Sequence, residues 1–275
     1  MEKIKLLDGS IWGKDDLLDK MRDDDFYFNY LSTDRVLSKS SINELVPPNS
    51  PKKWYYKMGK KDDSALRAGH LFHLAILEPE KFSQVQFSQY KHRSSKGYKD
   101  KQASMTETLY SANEKDFNEK LVGEFTVNKK AMTKLSGATF EEPVIGYIDD
   151  IPFRGKIDIV SPDGRLLDLK TCGNLSDFPK NADQYGYDIQ CYIYSKLMGV
   201  NASSFEFLVI SKNTYDIGFF TVDQSFINQG KEKLESAIEI YKSIFLNCSD
   251  EEIREKLNEI TFQNKLYSRK KFKNV

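Results

Sequence analysis

The chain has 275 residues, enough to bury a sizeable hydrophobic core in one large domain or two small ones. Lysine and arginine together number 41, as do aspartate and glutamate, so the formal charge is zero and overall charge does not attract nucleic acid. The three cysteines form no C-x-x-C pair, which argues against a disulfide scaffold, and no apolar run has the length of a membrane span. We therefore expect a soluble, cytoplasmic protein without a membrane partner.

The N-terminal part of the chain, residues 1–136, is predicted to be mainly helical. Ser41 and Glu44 have the spacing of a capping box that begins a short helix. The consecutive prolines Pro47 and Pro48 are expected to end that helix, because proline lacks a backbone N–H and its ring clashes with the preceding turn.

The stretch SALRAGHLFHLAIL, residues 64–77, predicts a buried helix, because it is rich in helix formers and ends just before Pro79. Gly69 and His73 are four residues apart and therefore lie on one face of this helix. The glycine lets another segment approach closely beside the imidazole. His70 is the competing candidate, and either histidine could instead be an ordinary core residue.

The pattern changes near Ala138. The segment ATFEEPVIGYIDDIPFRGKIDIVSPDGRLLDLKT, residues 138–171, predicts three consecutive strands joined by turns at DD and SPDG. A helix over about 184–198, the strands SFEFLVISK and DIGFFTVD, and amphipathic helices over about 223–258 follow. This order predicts an α/β fold with one central mixed β-sheet flanked by helices.

We expect a single domain over residues 1–275. Its helical N-terminal part would be followed by an α/β core at 137–225 and by C-terminal helices with a basic tail at 226–275. Because the net charge is zero, a polyanion would have to be held by a local basic patch. The segment KHRSSKGYKDK at 91–101, within a polar stretch expected to be a loop at 80–103, and the tail KLYSRKKFKNV at 265–275 are the candidates.

Two aspartates lie inside the most hydrophobic hairpin of the chain. Asp158 and Asp168 are equidistant from Asp163, the centre of the SPDG turn, so folding there places them opposite each other. Their Cβ atoms would be about 4.5–5.5 Å apart if the pairing is regular. Lys170 follows Asp168 by two residues and therefore points to the same face of its strand.

These carboxylates need a compensating cation. An ionised carboxylate buried without a partner among isoleucines and leucines would lower the stability of the fold by several kcal/mol. Two such carboxylates in contact also repel each other and resist joint ionisation. Lys170 supplies one charge, but two oxygen ligands suit a hard divalent metal, for which Mg²⁺ is the usual ion and Mn²⁺ the alternative. In the other interpretation, the hairpin is at an edge and its aspartates face solvent beside Lys156 or Lys170.

A third pair of polar residues follows in the helix after the hairpin. Gln190 and Tyr194, in the sequence QCYIY, are four residues apart and place an amide and a phenol on one stripe. They could form a polar cap over the core or contribute to the same site as the aspartates.

In their order along the chain, G-x-x-x-H, D, D-x-K-T and Q-x-x-x-Y resemble the PD-(D/E)XK nuclease superfamily, in particular its RecB-like and RecE-like (exonuclease VIII-type) phage branch. The resemblance extends to ALRAGHLFHLAILEPEKF, YGYDIQCYIY and LSKSSINELVPPNSP, and covers most of residues 35–220. The usual proline-aspartate pair is absent, since Lys156 and Ile157 precede Asp158. The resemblance implies a restriction-endonuclease-like core around the hairpin.

The resemblance also implies a role for each matching residue. The implied metal ligands are His73, Asp158, Asp168 and the main-chain carbonyl of Leu169. Lys170 would complete the catalytic set by orienting or deprotonating the attacking water. The implied DNA-binding residues are Thr171, Gln190 and Tyr194. Related proteins often carry a glutamate on the preceding strand, a place that Glu141 or Glu142 could fill.

The implied activity is that of a Mg²⁺-dependent phage-type exonuclease acting on double-stranded DNA ends. The resemblance implies 5′-to-3′ polarity, a recombinase as partner for the single strands produced, and a homo-oligomer in the cytoplasm of a bacterial host. An endonuclease or single-strand nuclease of the same fold, and an inactive DNA-binding or assembly module, are the alternatives. Arg67, Arg154 and Lys156 are candidates for phosphate contact.

Overall fold

The computed structural model of the protein describes residues 2–46, 49–57 and 64–260. The strands are β1 (Lys3–Lys5), β2 (Ile11–Gly13), β3 (Leu37–Ser38), β4 (Gln86–Phe87), β5 (Leu109–Tyr110), β6 (Thr139–Ile148), β7 (Ile151–Val160), β8 (Leu166–Cys172), β9 (Phe205–Ser211) and β10 (Ile217–Thr221). The α-helices are α1 (Lys14–Lys20), α2 (Lys39–Asn43), α3 (Pro51–Tyr55), α4 (Ser64–Leu77), α5 (Pro79–Phe82), α6 (Lys96–Ala103), α7 (Ala112–Thr126), α8 (Lys129–Leu135), α9 (Phe178–Gln184), α10 (Tyr187–Met198), α11 (Gln224–Ile244) and α12 (Asp250–Glu259). Two predicted features, the helix end at Pro47 and Pro48 and the basic tail at 265–275, lie outside the described residues.

The central sheet is mixed. Its strands follow the order β10-β9-β8-β7-β3, and β6 also pairs with β7. β8 runs parallel to β9 and β3 runs parallel to β7, whereas the β6–β7, β7–β8 and β9–β10 pairs are antiparallel. The predicted α/β fold with a central mixed sheet flanked by helices is confirmed.

The three predicted strands are β6, β7 and β8, and both turns between them have a local cause. Asp149 and Asp150 have φ of 50° and 63°, as a two-residue hairpin turn that matches the strand twist requires. In the second turn, the amide of Ser161 donates to the carbonyl of Arg165 at 2.9 Å, and Gly164 has φ of +80°. The sequence therefore determines this part of the fold through its turn residues.

Helices cover both faces of the sheet. On one face, α10 and α11 bury Ile193 and Leu234 in a large core that includes Phe207 of β9. On the other face, α4 and α7 bury Phe72 and Leu121 in a second core with strand residues of β7, β8 and β9. The β7–β8 hairpin lies between the two layers, which explains why the polar groups on it are shielded from water.

Two local predictions were wrong. The capping box of α2 joins Ser38 and Ser41, whose hydroxyls accept from each other's amides at 2.8 and 3.3 Å, three residues before the predicted position. Residues 80–103 contain α5, β4 and α6 and are not only a loop. The helix expected over about 184–198 is confirmed as α10, which begins at Tyr187 directly after Gly186 with φ of +66°.

The predicted boundaries between the helical part, the α/β core and the C-terminal helices stay a prediction. Within the described ranges, no helix has the length and apolar character needed to span a membrane.

Candidate active site

One edge of β7 is only partly paired with neighbouring strands. Because β6 pairs with the other edge along most of its length, β3 and β8 share the remaining edge. Along this edge of β7, β3 pairs only with Phe153 and Arg154, and β8 pairs only with Ile159 and Val160. In the part of the chain that the structure describes, no strand pairs with residues 155–158 on this edge. Side chains from several elements therefore gather at this opening.

Asp158 lies where the pairing of β7 with β8 ends. The register of Ile159 with Leu167 places it opposite Asp168, as the sequence predicted. The regular pairing stops one residue earlier, however, and the amide of Leu169 donates to Oδ2 of Asp158 at 2.8 Å. The carboxylate of Asp158 thus replaces the main-chain carbonyl that would accept this hydrogen bond in a regular sheet, and the amide of Leu169 fixes the orientation of the carboxylate.

The alternation of side chains along β7 breaks at Asp158. Phe153 and Ile157 pack into the α10–α11 core, whereas Ile159 packs into the α4–α7 core, so the facing pattern shifts by one residue between them. Glu141 is the residue of β6 opposite Asp158, and it is unpaired with φ of +51°. This irregular backbone brings two acidic side chains from neighbouring strands to one place.

Among the described residues, His73, Glu141 and Asp158 form a group whose nearest donor atoms all lie within 4.8 Å of one another. Nε2 of His73 is 3.6 Å from Oδ2 of Asp158 and within hydrogen-bond distance of the carbonyl oxygen of Leu169. Three of the four predicted metal ligands are therefore brought together. His70 is not part of this group.

The sequence did not decide whether Glu141 or Glu142 is the glutamate of the strand that precedes Asp158. In the structure, Glu141 faces His73 and Asp158. Glu142 instead forms an exposed ion pair with Arg22, with 3.0 Å between Nη2 and Oε1. Burial raises the pKa of Glu141 to about 8, and the carboxylates of Asp158 and Glu78 add to the effect. The group of His73, Glu141 and Asp158, called the acidic group below, therefore lacks the positive charge needed to keep both of its carboxylates ionised.

The donor set fits a hard divalent cation. Carboxylate oxygens, a main-chain carbonyl and an imidazole nitrogen converge where the crowded carboxylate of Glu141 is held partly protonated. A bound cation would replace that proton, because it offsets both carboxylates at once. The residues that would hold it are His73, Glu141, Asp158 and the carbonyl of Leu169.

Asp168 is directed to a different set of partners. It is 1% exposed, its Oδ1 accepts from Nε2 of Gln190 at 2.5 Å, and its Oδ2 forms an ion pair with Lys170. Burial and the charge of Asp158 raise the pKa of Asp168 to about 6, although Lys170 opposes the shift. Burial alone would lower the pKa of Lys170, but Asp168 and Asp158 outweigh it and raise the pKa, so this amine stays charged.

The residues predicted to bind DNA lie around this ion pair. Gln190 orients Asp168, and the ring of Tyr194 lies against Gly155, where a Cβ would be 2.4 Å from Cε1 of the ring. Burial raises the pKa of Tyr194, so its hydroxyl stays protonated. Thr171 faces α4, with its hydroxyl 3.4 Å from the position that a Cβ on Gly69 would take. The predicted small residue of α4 thus makes room for β8.

A cleft of about 1230 Å³ extends to Lys170, whereas His73, Glu141 and Asp158 are not among the residues that line it. Lys170, Gln190 and Tyr194 line it together with residues of the N-terminal part and of α11. Its lining includes several aromatic side chains, namely Tyr27, Phe28, Trp54, Tyr55, Tyr187, Tyr241 and Phe245. The cations and aromatic rings of the cleft are accompanied by the carboxylates of Asp34 and Glu44.

The three cations that the sequence suggested for phosphate contact already have partners. Arg67 binds Glu114 at 2.8 Å, the guanidinium of Arg154 lies 3.9 Å from the centre of the Tyr27 ring, and Lys156 binds Asp24 at 2.5 Å. Sequence reasoning missed Lys39 and Tyr187, which also line the cleft. Both lie in segments that resemble the family, LSKSSINELVPPNSP and YGYDIQCYIY, but neither was assigned a role, because only the fold brings them beside Lys170.

One solved structure shares this fold. A candidate exonuclease from Eubacterium rectale is similar with a TM-score of 0.55 and 15% identity, over 84% of this chain and 91% of that chain. A phage-related exonuclease from Haemophilus somnus 129PT gives a TM-score of 0.32 and 14% identity, over 76% of this chain and 94% of that chain. No curated protein matches the chain.

The sequence also matches a family model, described as a PDDEXK-like domain of unknown function (DUF3799), over residues 50–256. This range contains His73, Glu141, Asp158, Asp168, Lys170, Gln190 and Tyr194. The match covers well over half of the chain and confirms the resemblance to the PD-(D/E)XK superfamily that the ordered motifs predicted. The protein belongs to the PDDEXK-like family DUF3799.

Proposed function

We propose that the protein is a metal-dependent nuclease that hydrolyses phosphodiester bonds of DNA. The observation that carries the proposal is the convergence of His73, Glu141 and Asp158 beside the ion pair of Asp168 with Lys170, a lysine that also lines a large cleft. Family membership and the fold shared with a candidate exonuclease support it.

The residues of the site divide the chemistry between them. A divalent cation held by the acidic group would polarise a phosphoryl oxygen and lower the pKa of a water molecule. Asp158 is oriented by the amide of Leu169, and Asp168 by the amide of Gln190, so neither carboxylate has to reorganise during the reaction.

Lys170 has a role that follows from its charge. Burial opposes the charged amine, but Asp168 and Asp158 outweigh burial and raise the pKa of Lys170, so the amine is charged in the metal-free site. Beside a bound cation it would orient or deprotonate the attacking water and offset the negative charge that develops on the phosphate.

The finer assignment is an exonuclease that acts on double-stranded ends from 5′ to 3′ with Mg²⁺, or with Mn²⁺ in its place. The RecE-like order of motifs supports this choice, as does the name of the similar structure from Eubacterium rectale. A homo-oligomer that supplies single strands to a recombinase would be the corresponding assembly.

The test uses linear duplex DNA labelled at the 5′ or the 3′ end, with a closed circular duplex in parallel. We expect Mg²⁺-dependent release of nucleotides from the linear DNA, none with a chelator, and a loss of about 100-fold or more in Asp168→Ala and Lys170→Ala. Glu142→Gln, outside the site, should retain activity. Full activity in purified Asp168→Ala would refute the proposal.

The circular substrate separates the alternatives. Cleavage of the circle at the rate of the linear DNA would favour an endonuclease of the same fold. Binding without hydrolysis under any divalent metal would favour a DNA-binding module, although the chain retains the acidic residues and the lysine that such a module would be expected to have lost.

A further inference from the structure

Lys39 is a cation of the cleft to which the family resemblance assigned no role. It begins α2, directly after the short strand β3 that joins the central sheet beside β7. Its amine lies 5.3 Å from the centre of the Tyr187 ring, and the amine of Lys170 lies 5.0 Å from the centre of the same ring. Both distances are typical of cation–π contacts, so one aromatic ring supports two ammonium groups.

The two amines differ in their partners. Lys170 is neutralised by Asp168, whereas the amine of Lys39 donates to the main-chain carbonyl of Tyr185 at 2.7 Å. Among the described residues, no carboxylate oxygen lies within ion-pair distance of Lys39. Asp168 and Asp188 are near enough to act on its charge, but each forms its ion pair with another lysine, Lys170 or Lys233.

This arrangement has an energetic cost that a ligand would remove. Burial and the charge of Lys170 lower the pKa of Lys39 to about 8, although Asp168 and Asp188 act in the opposite direction. An ammonium group has three N–H donors, and one of them is used by Tyr185. Lys39 lines the same cleft as Lys170 and Gln190.

We propose that Lys39 binds a phosphate group of the DNA strand held in the cleft. The inference rests on the proposed nuclease function and adds a substrate-positioning residue to it. A phosphate anion supplies the charge that the protein does not provide, and lysine commonly binds phosphate as a point charge. The Tyr187 ring would separate this phosphate contact from the ion pair of Lys170.

The experiment compares Lys39→Met, which keeps the length of the side chain without its charge, with Lys39→Arg. The matched control is Lys120→Met, because Lys120 also lies on a tyrosine ring, 4.6 Å from the centre of Tyr215, but does not line the cleft. We expect Lys39→Met to raise the KM for linear duplex DNA about 10-fold or more with a smaller change in kcat. Lys39→Arg and Lys120→Met should resemble wild type.

Salt dependence distinguishes a phosphate contact from a structural role. The slope of log(kcat/KM) against log[KCl] should become shallower by about 0.9 in Lys39→Met, because one fewer phosphate is neutralised. A higher KM with an unchanged slope would mean that Lys39 only supports Tyr185 and Tyr187, and would overturn the inference. An unchanged KM would overturn it as well.

Substrates with a 5′-phosphate or a 5′-hydroxyl end identify the source of the phosphate. An effect of Lys39→Met on the phosphorylated end alone assigns Lys39 to the terminal group, and an equal effect on both assigns it to an internal phosphodiester. A wild-type protein that neither binds nor cuts DNA would refute the proposed function itself. A wild-type nuclease with an unaltered Lys39→Met variant would refute only the role of Lys39.

Discussion

The carboxylate of Asp158 accepts a hydrogen bond from the main-chain amide of Leu169, 2.8 Å from Oδ2, at the point where β7 and β8 cease to pair. An aspartate side chain therefore satisfies a buried backbone donor that a strand would normally satisfy. The same residue faces Glu141 and His73. Asp158 stabilises the fold through this hydrogen bond, which needs only an acceptor oxygen. Its proposed binding of a metal needs a negative charge, so the two roles can be tested separately.

Asp158→Ala should lower the free energy of unfolding by about 1–3 kcal/mol, since the amide of Leu169 loses its buried acceptor. Asp158→Asn keeps an acceptor oxygen and removes repulsion with Glu141, so we expect it to be as stable as wild type in the presence of a chelator. Both variants should lose Mg²⁺ binding. Urea unfolding and calorimetric titration measure the two effects, and equal destabilisation of both variants would contradict this assignment.

The two neighbouring glutamates provide a matched pair for testing the metal site. Glu141→Gln should weaken Mn²⁺ or Mg²⁺ binding by at least about 10-fold, because a carboxylate at the centre of the acidic group becomes neutral. Glu142→Gln removes only an exposed ion pair with Arg22 and should leave metal affinity unchanged. Isothermal titration with both variants measures this difference, and similar losses in the two would exclude Glu141 as a specific ligand.

Stability should depend on pH through Glu141 and Asp168. Their pKa values in the folded protein, about 8 and about 6, lie above the ordinary values of 4.5 and 3.8. The folded state therefore binds more protons than the unfolded state within these intervals, and stability falls as pH rises through them. Between pH 6 and 8 the effect comes mainly from Glu141.

Urea unfolding of the metal-free protein at pH 6, 7 and 8 measures this dependence. We expect the midpoint to decrease over the series, and Glu141→Gln should have a flatter profile with a higher midpoint at pH 8. Added Mg²⁺ should stabilise wild type more at pH 8 than at pH 6, because the cation competes with the proton. A midpoint that increases with pH in wild type, but not in Glu141→Gln, would contradict the conclusion that folding raises the pKa of Glu141.

Much of the hairpin could be predicted because its determinants are local. The SPDG turn fixes the register that places Asp158 opposite Asp168, and the four-residue spacing within α4 places His73 on the face beside Gly69. These relationships depend on turn chemistry and helical periodicity, which can be read from consecutive residues.

The rest of the site depends on exceptions and on distant contacts. Strand periodicity assumes a regular backbone, so it did not predict the break at Asp158 or decide between Glu141 and Glu142. Lys39 reaches the cleft because β3 pairs in parallel with β7, which is far from it in sequence. No local pattern of two residues, Leu37 and Ser38, predicts such a strand.

The position of Tyr194 in the cleft depends on the absence of a side chain at Gly155. An added Cβ would lie 2.4 Å from Cε1 and 3.1 Å from Cδ1 of the ring, so Gly155→Ala should displace the tyrosine and cost about 1–3 kcal/mol. Gly123→Ala is the matched control, because this exposed glycine of α7 has open space around its Cβ position and should gain about 0.5–1 kcal/mol in helix propensity. Urea unfolding measures the two opposite shifts.

If Tyr194 positions DNA, the KM for linear duplex should also rise in Gly155→Ala and stay unchanged in Gly123→Ala. A destabilised Gly155→Ala variant with wild-type KM would restrict Tyr194 to a structural role.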